Sequence, residues 1–232
     1  MVKGESDVSP SESPDDGSKD LEAWAARDVE GLFETRKSVA IQADVRQLDW
    51  RLLALYQFTK FGRLFDVIYM DPPWRYNIKL KYPTLTDDEI MALPFGSLQS
   101  AGYIFCWIID VKEEIIKQRF KQLGYECKAR LTWLKRTAKG NPVNSSGVTM
   151  RKSTEFCYVF AKGKVSDIAK FHKAHSFIDA KVRGHSVKPD EMYQQIKALV
   201  PDGHYLEIFG RQHNLQDDFV TVGNQLHSVL IN

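Results

Sequence analysis

Apolar residues follow two alternating rhythms between Val39 and Gln225. Short continuous runs, "VAIQAD" (39–44), "LFDVIYM" (64–70) and "GYIFCWII" (102–109), have the length and β-branched content of strands buried on both faces. Between them lie segments whose apolar residues recur at helical spacing. "LDWRLLALYQFT" predicts a helix, "TDDEIMAL" opens one with a Thr86/Glu89 capping box, and "VKEEIIKQRFKQLG" carries Ile116, Phe120 and Leu123 as a stripe. Asp110 is the expected cap of that last helix and Gly124 its terminator. "KARLTWLKR" and "TEFCYVFAKG" then predict strands around a long polar loop. "KPDEMYQQIKALV" predicts a helix with Pro189 in its first turn, followed by strands "HYLEIFG" and "FVTVGN". Such alternation predicts an α/β domain with helices on both faces of a mostly parallel sheet.

In open α/β sheets ligands bind beyond the carboxyl ends of the strands. Four predicted strands end in polar residues: "AD" (43–44), "DPPW" (71–74), "FGR" (209–211) and "GNQ" (223–225). The second offers specific chemistry. Asp71, when ionised, only accepts hydrogen bonds. Proline lacks an N–H and has a fixed φ, so the Pro72 carbonyl is expected to project as a rigid second acceptor. Trp74 is expected to give a flat face for base stacking. Two acceptors and a platform suit an exocyclic amine on a planar base. Gripping both amine hydrogens frees the nitrogen lone pair for an electrophile such as the sulfonium methyl of S-adenosylmethionine. A base acted on in this way must leave its stack. The competing reading is a plain turn with Trp74 in the core; the basic, aromatic "RYNIKLKY" that follows favours the site.

Composition narrows the class. The chain has 232 residues, 43% hydrophobic content and a formal charge of +2, which argues against a polybasic nucleic-acid coat but leaves room for a basic groove. Cys106, Cys127 and Cys157 show no metal-ligand spacing, so no metal is expected. They predict reduced residues in a soluble, intracellular protein, and no apolar run reaches membrane-spanning length. Residues 1–20 hold almost nothing to bury and predict a disordered leader; the remaining 21–232 are expected to form one domain, opened by a helix over 21–38.

The wider pattern resembles the N6-adenine methyltransferases of the MT-A type, named for a seventy-kilodalton subunit. "ADVRQLD" (43–49), "DPPW", "VRGHSVKPDE" (182–191), "LEIFGRQHN" (206–214) and "TVGNQL" (221–226) carry the likeness, which is strongest to the ciliate DNA adenine methyltransferase catalytic subunit. The resemblance implies a seven-stranded, Rossmann-like methyltransferase fold in permuted order, with the catalytic Asp71, Pro72, Pro73 and Trp74 ahead of the cofactor segment at Phe209. It implies that Asp44, the Val45 backbone and Asn224 meet the adenine of S-adenosylmethionine, and that Arg211 and Gln225 bond its ribose. Lys188, helped by His213 and Asn214, is to pair with its carboxylate, while Asp71 faces both its amine and the substrate amine. By their positions, Tyr76 and Tyr82 are expected to flank the site on a mobile loop as a gate for substrate, with plain packing as the equal alternative.

The segment 135–152 carries five basic residues and no acid, so Lys135 and Arg136 are candidate phosphate contacts; a solvated surface loop is the plain alternative. Arg75, Lys79 and Lys81 add positive charge near the motif. The resemblance further implies a nuclear catalytic subunit in a heterodimer with a related subunit of degenerate motif, with possible further DNA-binding subunits. The family's mRNA enzymes carry a zinc-finger module; the lack of a Cys/His cluster here, with the ciliate likeness, tilts the substrate toward DNA, with RNA adenosine as the alternative. A non-catalytic scaffold is the rival of another class, disfavoured by the intact Asp71, Lys188 and Asn224. A nucleotide-dependent oxidoreductase lacks its glycine-rich fingerprint.

Overall fold

The computed structural model describes residues 38–76, 82–145 and 150–227. The expected leader and, but for Ser38, the expected first helix lie outside these residues, as do Lys79 and Lys81.

Among the described residues eight strands form one sheet: β1 (Val39–Gln42), β2 (Val67–Met70), β3 (Gly102–Trp107), β4 (Glu126–Arg136), β5 (Thr154–Lys162), β6 (Phe177–Lys181), β7 (Tyr205–Ile208) and β8 (Phe219–Gly223). Their order is β1-β8-β7-β2-β3-β5-β4-β6. Only the pairings of β5 with β3 and with β4 are antiparallel; the other five are parallel. The sheet therefore has one strand more than the seven expected. The unforeseen member is β6, a short edge strand with an acid at its centre and alternating exposure.

The helices are α1 (Trp50–Phe61), α2 (Asp87–Met91), α3 (Phe95–Leu98), α4 (Glu113–Gln122) and α5 (Glu191–Leu199). Asp49 starts α1 by accepting the N–H groups of Arg51 and Leu52, each at 3.0 Å, and Gly62 ends it at φ 69°. The Thr86/Glu89 capping box of α2 is formed in both directions. Asp110 does not cap α4: a 3₁₀ turn, Asp110–Lys112, intervenes, and the Asp110 carboxylate takes Lys152 at 2.8 Å instead. On α4, Ile116 and Phe120 are buried, but Leu123, the cap residue just after it, is 38% exposed.

The two sheet faces are covered separately. Met192, Tyr193 and Ile196 of α5 pack in one cluster with Tyr69, Trp107, Trp133 and Cys157. Phe120 of α4 meets Phe95 of α3 and Phe160 of β5, whose side chain alternates to the opposite face from Cys157 and Val159. No helix among the described residues is long and apolar enough to cross a membrane.

Candidate active site

Strands β1, β8, β7 and β2 are neighbours and parallel, so their carboxyl ends meet along one edge. All four polar strand ends line one cleft there: Ala43 and Asp44, Asp71 to Trp74, Phe209 to Arg211, and Gly223 to Gln225. Its volume, about 660 Å³, lies in the usual range for a small-molecule site.

Two glycines set the floor. A Cβ at Gly223 would sit 2.0 Å from the Gly210 carbonyl oxygen, and one at Gly210 would sit 2.1 Å from Thr221 Cγ2. The ends of β7 and β8 approach this closely only because neither residue has a side chain. Phe209, just before, is held at φ 70°, a conformation that residues other than glycine seldom adopt.

The proline corner is tied down on three sides. Pro72 and Pro73 cannot extend the β2 ladder, so the chain turns and Trp74 N–H donates back to the Pro72 carbonyl at 2.8 Å. One lone pair of that carbonyl is thereby used, and the second remains. Leu85 N–H donates to Pro73 O at 2.9 Å and Arg75 N–H to Leu85 O at 2.8 Å, closing the neck of the loop that carries Tyr76 and Tyr82. Trp74 corrects the expectation of an exposed platform. It is 5% exposed, and its Nε1–H donates to Trp107 O at 2.8 Å. The indole belongs to the wall and anchors the corner to the end of β3.

Lys188 Nζ donates to Asp71 Oδ2 at 2.7 Å, lies 3.5 Å from Glu155 Oε2, and sits over the Trp107 ring. Lys135 holds the other Glu155 oxygen at 3.0 Å. Loss of surrounding water pushes the Asp71 carboxyl above the ordinary carboxylate range, against the pull of Lys188. Burial opposes the charges of Lys188 and Glu155 as well. The carboxylates Asp71 and Glu155 nevertheless hold Lys188 above its usual value, and the lysines hold Glu155 below its own. Lys188 thus engages the Asp71 carboxylate itself, not only a prospective ligand carboxylate. Glu155 was not foreseen. It opens the one strand that runs antiparallel to β3 and β4, so its first residues, not its last, reach the site edge.

At the other end, Arg46 grips Asp44 with Nη2 to Oδ2 at 2.6 Å and Nε to Oδ1 at 3.0 Å, which lowers the Asp44 carboxyl. Arg46 also reaches Glu89 at 3.3 Å. The Val45 carbonyl already accepts Trp50 Nε1–H at 2.8 Å. Val45, Tyr76, Tyr82, Lys135, Lys188, Arg211, Asn224 and Gln225 all line the cleft.

Three expected residues stand apart. Asn214 is buried behind the wall, bonding Arg211 N–H and the Tyr193 hydroxyl. His213 is exposed and outside the lining, held below the ordinary histidine range by partial burial and then by Arg211 and Arg183. Arg136 donates from Nε and Nη2 to the two Asp179 carboxylate oxygens, each at 2.7 Å. Three of the five cations of the basic segment are paired: Lys135, Arg136 and Lys152 with Glu155, Asp179 and Asp110.

S-adenosylmethionine suits this set. Asp44 and Asp71 are acceptors and Arg211, Asn224 and Gln225 donors along the cleft, and the buried glycines Gly210 and Gly223 line it with no side chain to fill it.

The MT-A70 family profile matches residues 65–225. The N(6)-adenosine-methyltransferase MT-A70-like protein of Drosophila melanogaster is 35% identical over 191 residues, covering 82% of this chain and 30% of that protein. The N(6)-adenosine-methyltransferase catalytic subunit METTL3 of Homo sapiens is 33% identical over the same length, 82% of this chain and 31% of its own. The N6-adenosine-methyltransferase non-catalytic subunit MTB of Arabidopsis thaliana is 29% identical over 135 residues, 53% of this chain and 17% of MTB. The chain thus spans about a third of the length of the first two relatives. It belongs to the MT-A70 family, whose methyltransferases use S-adenosylmethionine.

Proposed function

We propose that this chain is a catalytic methyltransferase unit that transfers a methyl group to the N6 amine of adenine, with RNA as the polynucleotide. One observation carries the reading: an intact Asp-Pro-Pro-Trp corner whose Asp71 lies in the cleft with Lys188 at 2.7 Å. The substrate class follows the relatives, whose names specify adenosine, a ribonucleoside. That moves the reading from DNA, the first expectation from sequence, to RNA.

S-adenosylmethionine supplies an electrophilic methyl when bound. The chain's own residues prepare the nucleophile. Asp71 Oδ2 is held by Lys188, while Oδ1 has no hydrogen-bond partner among the described residues and is available to one amine hydrogen. The second Pro72 lone pair suits the other. Two acceptors localise the nitrogen lone pair, and the low-dielectric wall of Trp74 and Trp107 strengthens both bonds. Asp71 and the Pro72 carbonyl would hold the amine nitrogen toward the methyl that the bound cofactor supplies, and Asp71 would take the surplus amine proton and pass it to solvent.

The assembly proposed is a heteromer with a related, degenerate methyltransferase-fold subunit, in the nucleus. A non-catalytic relative in Arabidopsis supports the first part, and the sequence resemblance alone supports the second. The test is transfer of a labelled methyl group to matched RNA and DNA oligonucleotides, with and without candidate partner subunits. Labelled N6-methyladenine in RNA is expected. Labelling confined to DNA overturns the choice of polynucleotide, and none on either, with cofactor bound, overturns the catalytic reading.

A further inference from the structure

Behind the cleft lies a buried polar chain that the proposed transfer does not use. Glu207 of β7 and Tyr193 of α5 are each 3% exposed, and Asn214 is 9% exposed. The Tyr193 hydroxyl lies 3.1 Å from Glu207 Oε1 and 3.0 Å from Oε2. It accepts from Asn214 Nδ2 at 3.0 Å, and Asn214 Oδ1 accepts Arg211 N–H at 3.2 Å. Asn214 N–H returns to Arg211 O at 2.8 Å, closing the 3₁₀ turn Gln212–Asn214.

The direction of this chain is set at Glu207. No cation reaches its carboxyl among the described residues, and burial pushes it well above the ordinary carboxylate range. Near-equal distances to both oxygens suit a neutral acid that donates with one and accepts the Tyr193 proton with the other. Tyr193 is then an acceptor toward Asn214. The amide must present nitrogen to Tyr193 and oxygen to Arg211 N–H; the reversed amide would oppose two donors. The turn needs such support, because Phe209 at φ 70° and the side-chain-free Gly210 precede it. Arg211 itself lines the cleft.

We propose that Glu207, acting through Tyr193 and Asn214, is a positioning residue that fixes the Arg211 turn in the shape that binds S-adenosylmethionine. This rests on the reading of the cleft as the site of that cofactor. A packing role alone predicts lost stability with unchanged affinity; a positioning role predicts lost affinity in protein that is still folded.

Calorimetric titration of the full chain with S-adenosylmethionine, alongside melting temperatures, separates the two. Tyr193→Phe and Asn214→Ala are expected to weaken binding about tenfold, the effect of one lost buried hydrogen bond. Glu207→Gln, whose amide reproduces both bonds of the neutral acid, is expected to stay within about threefold of wild type, and Glu207→Leu to match Tyr193→Phe. Wild-type affinity in Tyr193→Phe and Asn214→Ala, or Glu207→Gln as weak as Glu207→Leu, overturns the proposal. Asn214, in a short turn, decides alone should Tyr193→Phe not fold. Absence of binding by the wild-type chain strikes the cofactor reading itself and takes this proposal with it.

Discussion

Asp71 and Lys188 lie 117 positions apart in the chain and 2.7 Å apart in space. As an acceptor for the substrate amine, Asp71 must be ionised. Asp71→Asn keeps the shape but presents a donor, so transfer is expected to fall by at least about 100-fold while the melting temperature stays near wild type. Retained turnover contradicts the assigned role. The folded pKa of Asp71 is raised, with lost hydration the largest cause and Lys188 opposing it. Activity is therefore complete above that raised value and is lost as pH falls through it, at a higher pH than an ordinary aspartate gives. Removing the opposing charge by Lys188→Met raises Asp71 further. The acid limb of kcat is expected to move upward; a limb that stays in place contradicts the coupling. Sequence made Asp71 visible because its proline corner is followed by a basic, aromatic segment and is one of four polar strand ends. It hid Glu155, because an acid opening an apolar strand looks like any polar strand end until the antiparallel direction of β5 is known.

At the scale of elements, the four parallel strands β1, β8, β7 and β2 do what their sequences predict and bring their polar ends together. Trp74 is the instructive departure. A base platform predicts that Trp74→Ala lowers activity alone. An indole that is 5% exposed and bonded to Trp107 O predicts a loss of about 3–5 kcal/mol in stability, the range for emptying such a site. Chemical denaturation measures it, and an unchanged midpoint contradicts the anchoring role. Gly223→Ala places a methyl 2.0 Å from the Gly210 carbonyl, so it is expected to push β7 and β8 apart and weaken S-adenosylmethionine binding about tenfold or more. Wild-type affinity in that variant contradicts the glycine floor. Strand β6 escaped the sequence reading because five residues with a central aspartate give too short an alternation to stand out.

Across the molecule, local charge proved a poor guide to free charge. The segment 135–152 reads as a run of cations, yet Lys135, Arg136 and Lys152 pair with acids 20, 43 and 42 positions away. Those acids come from β5, β6 and the turn after β3, so only the fold reveals the neutralisation. The α/β class, the permuted order of corner and cofactor segment, and the cleft edge were all legible in the sequence. The positions of Asn214, His213 and Arg136 outside the cleft lining were not, because one residue of turn decides whether a side chain faces the ligand or the core. The central claim is that this cleft methylates the adenine amine through Asp71. Its most direct test is mass-spectrometric quantification of N6-methyladenine in an RNA oligonucleotide after incubation with S-adenosylmethionine, a partner subunit and either wild type or Asp71→Asn. Product is expected with wild type and almost none with the variant; equal product from both, or methylation at another position of the base, contradicts the role of Asp71.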